Sequence, residues 1–191
     1  MEIIDLSLPI SEGMPFYPGD IGTKVRTRHL EPGWTVSSID MSCHGATHVE
    51  CAAHAVEGGS MLDSFPLSAF VGEAQCIRRE DIGKVVVDKE ILLIYTGYDK
   101  LWPEAEYSHK GLDLSLKEAE WVSEQKLKAV GNDTASIGSV DVHRIIFANG
   151  SLIIESLCNL EQVLGKQFRI CFLPLRLGVE SSPTRAVAIL G

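Results

Sequence analysis

The sequence predicts an α/β or α+β domain built around a mixed β-sheet. Three observations point to this architecture: a length of 191 residues, several short segments rich in Val, Ile and Leu, and fewer segments with helical signals. A chain of this length forms one domain with a sizeable core. Strands that outnumber helices and only partly alternate with them are typical of a mixed sheet. Neither a repeat nor a linker divides the chain, so we expect a single domain over residues 1–191.

The predicted strands are apolar runs that end at turn residues. The first is Ile3–Ile10, which leads into a loop punctuated by prolines and by Gly19-Asp20. Residues Thr35–Cys43 alternate between apolar and polar side chains, the pattern of a strand with one buried face. The remaining predicted strands are Val85–Val87, Ile91–Thr96, Leu127–Val130, Leu152–Ile154, Phe168–Leu173 and Ala186–Leu190.

Two helices are predicted from their end signals. The first covers Leu116–Gln125, because Ser115 and Glu118 have the spacing of a capping box, in which each side chain binds the other residue's backbone amide. The second covers Val140–Ala148 and is stopped by the Asn-Gly pair that follows it. A short helix is expected to begin after Asn159.

Composition limits the classes of partner. Lys and Arg total 17 against 26 Asp and Glu, a net charge of −9, and no basic cluster is present, so neither nucleic acid nor an anionic membrane is expected as a partner. A small-molecule substrate and a divalent cation fit this charge. No apolar run is long enough to span a membrane and no basic leader is present. Five cysteines without framework spacing indicate reduced thiols and a cytoplasmic protein.

The most informative segment is Cys43–His54, where three of the six histidines and one glutamate fall within eleven residues. Imidazole and carboxylate groups are the ligands that zinc prefers and that manganese accepts. The spacing His44-x3-His48-x-Glu50 can converge on one ion if the chain bends at Gly45. The segment therefore predicts a metal site.

Other interpretations of this segment stay open. Three histidines near a surface turn can each be satisfied separately. Cys51 could act with a histidine as a thiolate nucleophile, or Cys43 and Cys51 could be zinc ligands. On the inferred strand, Cys43 is equally explained as a buried thiol.

A second patch is needed to complete a catalytic metal site, since one metal takes about three protein ligands and two metals need bridging carboxylates. The candidates are His143 on the second predicted helix and Glu155 at the end of the apolar strand Leu152–Ile154. A charge at the end of a buried strand is costly unless it is paired or bound to metal. The alternatives are a solvated helix face and a strand-end carboxylate in water.

With these motifs in order, the chain resembles the cyclase family of metal-dependent hydrolases, which includes bacterial kynurenine formamidase and isatin hydrolase. The family signature His-x-Gly-Thr-His-x-Asp-Ala-Pro-x-His matches His44–His54 at all three histidines and at Thr47. The other matching landmarks are Asp5-Leu6-Ser7, Tyr17-Pro18-Gly19-Asp20, Thr96-Gly97-Tyr98, Val130–Ser136, Ile154–Leu160, Leu173-Pro174-Leu175 and Ser182–Ala186.

The resemblance implies a barrel-like mixed sheet flanked by helices and one or two divalent ions, zinc or manganese. It implies that His54 acts in acid/base catalysis and that Tyr17, in the matched loop, contacts substrate. A homodimer or homotetramer is also implied. The metal ligands transferred by position are His44, His48, Glu50, His143 and Glu155.

The implied activity is hydrolysis of a non-peptide amide C–N bond, most concretely by an arylformamidase acting on an N-formylkynurenine-type substrate. The close alternative is a hydrolase that opens a cyclic amide or a lactone. An alternative from a different class is a metal-binding protein without turnover.

Three of the departures from the family signature bear on the predicted site. Glu50 replaces Asp, and its extra methylene moves the carboxylate by about 1–1.5 Å, which we expect to change the metal spacing or the number of ions. Ala46 replaces Gly, so we expect Gly45 to supply the bend. Ala52 replaces Pro before His54.

Overall fold

The computed structural model describes all residues of the chain, Met1–Gly191. Eleven strands and two α-helices are joined by loops and short 3₁₀ turns. The strands are β1 (Glu2–Asp5), β2 (Lys24–Leu30), β3 (Trp34–Asp40), β4 (His48–Glu50), β5 (Val71–Arg78), β6 (Ile91–Tyr95), β7 (Ala129–Asn132), β8 (Leu152–Glu155), β9 (Phe168–Cys171), β10 (Ser181–Pro183) and β11 (Val187–Leu190). The helices are α1 (Leu116–Glu124) and α2 (Val140–Phe147).

Nine of the strands form one mixed, curled sheet in the order β1-β11-β9-β5-β6-β7-β8-β4-β10. Strands β5, β6, β7 and β8 run parallel, and every other pairing in this sheet is antiparallel. Strands β2 and β3 pair only with each other, as a separate antiparallel hairpin. The predicted mixed sheet is therefore confirmed.

The central strand β6 is apolar throughout because both of its faces are covered. Ile91 and Leu93 pack in one core cluster with residues of the outer strands, while Leu92 and Ile94 pack in a second cluster. The second cluster also contains Val122 of α1 and Ile146 of α2, among other helix residues. The two helices thus cover one face of the sheet, and the curling of the sheet closes the other.

Helix α1 begins where its capping signals predict. The Ser115 Oγ accepts from the Glu118 amide at 3.3 Å, and the Glu118 carboxylate accepts from the Ser115 amide at 2.9 Å. Arg79 also donates to both oxygens of Glu118, at 2.6 and 3.1 Å. This pairing, opposed by some desolvation, lowers the pKa of Glu118 to about 2. Both predicted helices are confirmed within one residue at their ends.

The structure corrects several predicted strands. Val85–Val87 is irregular chain, and Val86 is 83% exposed, because the run lies in the connection before β6. The expected strand Ile3–Ile10 ends at Asp5, and the helix expected after Asn159 is a single 3₁₀ turn, Leu160–Gln162. Strand β5 was not predicted from the sequence because of its polar composition. Strands β2, β4 and β10 were not predicted either.

The strand expected at Thr35–Cys43 exists as β3, but its predicted buried face is wrong. Every residue of β3, and every residue of its partner β2, is exposed. The hairpin has no third strand and no packed layer beneath it within this chain.

The longest α-helix has nine residues, and none of the helices is long and apolar enough to cross a membrane.

We predict that Glu118→Gln lowers the free energy of unfolding near neutral pH by about 0.5–1 kcal/mol, since it removes a paired carboxylate. The pKa of Glu118 in the folded state, about 2, lies below its ordinary 4.5. The stabilisation is therefore present above pH 4.5 and disappears as the pH falls towards 2. Urea unfolding over this range should show the wild-type advantage shrinking. Glu120→Gln, on an exposed position of the same helix, should show little difference at any pH, and an equal effect from both variants would contradict the assignment.

Candidate metal centre

Strand geometry brings the predicted ligands together. His48 and Glu50 are two residues apart on β4, so their side chains project from the same face of the sheet. Strand β8 pairs antiparallel with β4 and places Glu155 directly opposite His48. This is the face covered by the helices, and α2 supplies His143 from above it.

The carboxylate of Glu50 lies at the centre of the cluster. Its Oε1 is 3.0 Å from the Nε2 of His143. Its Oε2 is 3.3 Å from the Nδ1 of His44 and 3.6 Å from the Nε2 of His54. Ligand atoms of His44, His48 and Glu50 lie within 4.8 Å of one another, and so do those of Glu50, His54 and His143. Glu50 belongs to both groups.

Glu155 forms the second acidic position. Its Oε2 is 3.6 Å from the Nε2 of His48, and its Oε1 is 3.7 Å from the Nε2 of His143. The amide of Ile137 donates to Oε1 at 2.5 Å and so holds the carboxylate in place. The two predicted patches face one cavity.

Backbone carbonyls orient two of the imidazoles. The Nδ1 of His48 donates to the carbonyl of Ala46, and the Nδ1 of His143 donates to the carbonyl of Ser139, each at 2.9 Å. A carbonyl only accepts, so Nδ1 carries the hydrogen and Nε2 keeps its lone pair in the neutral ring. Both Nε2 atoms point at the carboxylates, which is the arrangement of a metal-binding histidine held by an outer hydrogen bond.

The bend that aims His44 and His48 is made at Ala46, not at Gly45. Ala46 has a φ of 55°, the left-handed region in which the family signature has glycine. Gly45 has no positive φ; a Cβ there would lie 2.7 Å from the Cε of Met41. The expectation that Gly45 replaces the signature glycine in the bend is therefore wrong, and Ala46 adopts the strained conformation itself.

The donor set fits a cation. Glu50 is fully buried, and neither carboxylate oxygen has a hydrogen-bond donor. With neutral His143, a nitrogen lone pair faces Glu50 Oε1 at 3.0 Å, so two electron-rich atoms approach each other. A buried carboxylate in this position is costly unless a positive charge lies among the ligands. Two or three imidazoles with carboxylates are the ligand set of zinc or manganese.

The pKa values of His143 and Glu50 also indicate that the site favours a positive charge. Burial lowers the pKa of His143, but the carboxylates of Glu155 and Glu50 outweigh it and raise that pKa to about 11. Burial raises the pKa of Glu50, but His143 and His44 outweigh it and hold the pKa well below its ordinary range. A proton on His143 therefore compensates Glu50 when no metal does, and metal binding would displace it.

The cluster opens into a cavity of about 210 Å³. His54 stands at its mouth, with a side chain 36% exposed, whereas Glu50 and His48 lie at its buried floor. Tyr17 is 52% exposed at the rim. All seven predicted site residues line this one cavity: Tyr17, His44, His48, Glu50, His54, His143 and Glu155.

Two acidic residues near the site were not predicted as functional. Asp20 lines the cavity and accepts from the Ser42 Oγ at 3.0 Å, and the Glu180 Oε1 lies 3.5 Å from the Nε2 of His44. Asp20 lies in a matched family landmark and Glu180 lies just before another, but neither has a spacing from the histidines that would have indicated contact.

The cysteine alternatives lose support. Cys51 is fully buried, and its thiol donates to the carbonyls of Ser60 and Glu180. Burial raises the pKa of this thiol to about 11, and burial also raises the pKa of Cys43. Neither residue belongs to a group of converging ligand atoms, so both are best explained as thiols that pack.

Comparison with known proteins places this geometry in a family. A family model described as putative cyclase matches residues 4–86 and 79–139, which is well over half of the chain. The chain is 33% identical over 193 residues to an uncharacterised protein of Methanocaldococcus jannaschii, covering 100% of both sequences. It is 26% identical to the kynurenine formamidase of Bordetella petrii, with 96% of this chain and 95% of the relative covered.

Solved structures share the fold. A structure described as a predicted metal-dependent hydrolase from Bacillus stearothermophilus superposes with a TM-score of 0.81 at 25% identity, covering 98% of this chain and 97% of that one. Isatin hydrolase A from Labrenzia aggregata superposes with a TM-score of 0.84 at 19% identity, covering 99% and 93%. With the matching family model and the relative of one-third identity, these findings establish that the chain belongs to the cyclase family.

Proposed function

We propose that this protein is a metal-dependent hydrolase of a non-peptide amide C–N bond, and specifically an arylformamidase that releases formate from an N-formylated aromatic amine. The observation that carries the proposal is the buried Glu50 carboxylate, which lacks a hydrogen-bond donor and is surrounded by imidazoles at the floor of a cavity. The relatives named kynurenine formamidase support the choice of substrate.

The ion would be held by residues of β4, β8, α2 and the turn before β4. Because Glu50 belongs to both groups of converging atoms, the cluster has room for one or two zinc or manganese ions. A bound divalent ion supplies polarisation of the amide carbonyl and a lowered pKa for water. The proposed ligands are His44, His48, Glu50, His143 and Glu155.

His54 is proposed to move the proton. Burial lowers its pKa, so the ring is neutral at working pH and can accept a proton before giving it to the leaving nitrogen. Its Nε2 faces Glu50 at 3.6 Å, and a carboxylate at this distance stabilises the imidazolium that forms. Its position at the cavity mouth gives it access to both substrate and solvent.

Tyr17 is proposed to contact the aryl part of the substrate. Its ring lies at the cavity rim and is half exposed, so a flat aromatic group can pack on it while the amide reaches the floor.

The second candidate is a hydrolase of a cyclic amide or a lactone, because isatin hydrolase A has the same fold over nearly the whole chain. A metal-binding protein without turnover is less well supported. A purely structural metal site is closed by its ligands, whereas this cluster opens to solvent at His54.

We also propose a homodimer or homotetramer that resides in the cytoplasm. The family resemblance supports the assembly, and the five unpaired cysteines support a reducing compartment.

We predict that Glu50→Ala lowers the metal content of the purified protein, because it removes the group shared by both sets of ligand atoms. Elemental analysis after gel filtration measures the stoichiometry. The control Glu57→Ala removes an exposed carboxylate outside the cavity and should leave metal content unchanged. Equal metal in the Glu50 variant and the wild type would mean that Glu50 is not a ligand.

We predict that His54→Ala keeps its metal but loses about 10²–10⁴-fold in kcat/KM, the usual contribution of a general acid–base group. Steady-state kinetics with metal analysis on the same samples make the test. His109→Ala changes an exposed histidine outside the cavity and should be fully active. Wild-type turnover by the His54 variant would rule out the proposed proton transfer.

The substrate class is tested by assaying N-formylkynurenine and isatin with and without a chelator. We expect hydrolysis of N-formylkynurenine that chelation abolishes and that added zinc or manganese restores. Hydrolysis of isatin alone would favour the second candidate. Tightly bound metal without hydrolysis of any amide or lactone would favour a binding protein.

A further inference from the structure

The imidazole of His44 is turned the opposite way from those of His48 and His143. Its Nδ1 faces the site, 3.3 Å from the Oε2 of Glu50 and 3.3 Å from the Nε2 of His48. The other two rings present Nε2 to the site and donate from Nδ1 to backbone carbonyls. For His44 to offer a lone pair at Nδ1 in the neutral ring, its hydrogen must lie on Nε2. This ring therefore needs an acceptor on its outer side.

Glu180 supplies that acceptor. Its Oε1 lies 3.5 Å from the Nε2 of His44, and no backbone carbonyl accepts from this nitrogen. The carboxylate of Glu180 forms no salt bridge with Lys or Arg, so a surface ion pair does not explain its position. The imidazole of His44 thus lies between two carboxylates, with Glu50 on its inner side and Glu180 on its outer side.

The chain at Glu180 is fixed against the segment that carries the predicted ligands. The carbonyl of Glu180 accepts from the amide of Cys51 at 3.0 Å and from its thiol at 3.2 Å. The next residue, Ser181, is fully buried, and its Oγ lies 3.0 Å from the carbonyl of Cys43 and 3.2 Å from that of Val49. These contacts hold the backbone at Glu180 against residues that flank the ligands, so the outer carboxylate has a defined place beside the site.

We propose that Glu180 is a positioning residue of the metal centre: it accepts the Nε2 hydrogen of His44 and so commits this ring to bind the ion through Nδ1. A carboxylate in such a place fixes the orientation and the hydrogen position of a metal-binding histidine, and it raises the basicity of the ligating nitrogen. The inference rests on the metal site proposed above. It adds an outer residue that affects metal affinity without touching the ion.

The charge of Glu180 distinguishes His44 from the other two rings. Neutral carbonyls hold His48 and His143, whereas a carboxylate faces His44. A hydrogen bond to an ionised group is roughly twice as strong as one between neutral groups. A cation at Nδ1 polarises the Nε2 hydrogen towards the carboxylate, so Glu180 stabilises the loaded site through the ring. Its removal should therefore weaken His44 as a ligand.

The first experiment determines the hydrogen positions in the zinc-loaded protein with isotopically labelled histidine. Because zinc is diamagnetic, long-range proton–nitrogen NMR spectra show which ring nitrogen carries the hydrogen, and the variant H44N identifies the signals of His44. We expect hydrogen on Nε2 in His44 and on Nδ1 in His48 and His143. In E180A the signals of His44 should shift while those of the other two rings stay. Hydrogen on Nδ1 of His44 in the wild type would overturn the proposal.

The second experiment measures the dissociation constants of zinc and of manganese by competition with a chromophoric chelator. E180A should bind the ion about 10–100-fold more weakly, the usual cost of losing an outer partner of a metal-binding histidine. E180Q keeps an acceptor oxygen without the charge and should lose less. The control E57A removes an exposed carboxylate outside the cavity and should retain the wild-type affinity.

The outcomes separate this inference from the proposed function. Unchanged metal affinity in E180A would overturn the role of Glu180 and leave the hydrolase proposal standing. Shifted signals from all three histidines in E180A would also overturn it, because they would indicate a general distortion of the site. A wild type that binds neither ion would overturn the proposed metal site, and this inference with it.

Discussion

The site depends on one constraint: the fold buries the carboxylate of Glu50 without a hydrogen-bond partner. Glu50 projects from a three-residue strand into the layer between sheet and helices, where no backbone or side-chain donor reaches either oxygen. Burial of an uncompensated charge is among the most expensive arrangements in a protein. The surrounding histidines relieve this cost by sharing a cation with the carboxylate, or by a proton on His143 when no ion is bound. Carbonyls of Ala46 and Ser139 hold two of the rings with Nε2 turned towards the carboxylates.

The rest of the molecule holds these groups in place. The buried hydroxyl of Thr47, the signature residue between the ligands, accepts from the amide of Leu8 at 2.8 Å and donates to the carbonyl of Ser156. It therefore ties the segment after β1, the start of β4 and the end of β8 together. The left-handed Ala46 next to it directs the chain into β4. A rigid support of this kind is what a metal site needs to keep its ligands converging before the ion arrives.

Much of this could be predicted from the sequence, and the failures have physical causes. Helix α1 could be predicted because its capping residues lie within four consecutive positions. The ligands of β4 could be predicted because they are close together in sequence. Glu180 contacts His44 across 136 positions of chain, so no local pattern reveals it. The period of two in β3 correctly indicated a strand, but every residue of β3 is exposed, because alternation in sequence does not determine whether another layer covers the apolar face. The bend was placed at Gly45 and not at Ala46 because composition does not show which residue adopts a strained, left-handed backbone conformation.

The register of β4 on β8 has a consequence for folding. In this alignment His48 lies directly opposite Glu155, and Glu50, two residues along β4, shares their face. A slip of one residue would turn His48 and Glu50 towards the opposite core, which is packed with Val49, Ile154 and other aliphatic side chains. The misaligned sheet would then lose the metal ligands from the cavity as well as the packing of Val49 in the aliphatic core. Ion affinity is thus coupled to correct strand alignment, and a bound ion would select against a sheet slipped by one residue.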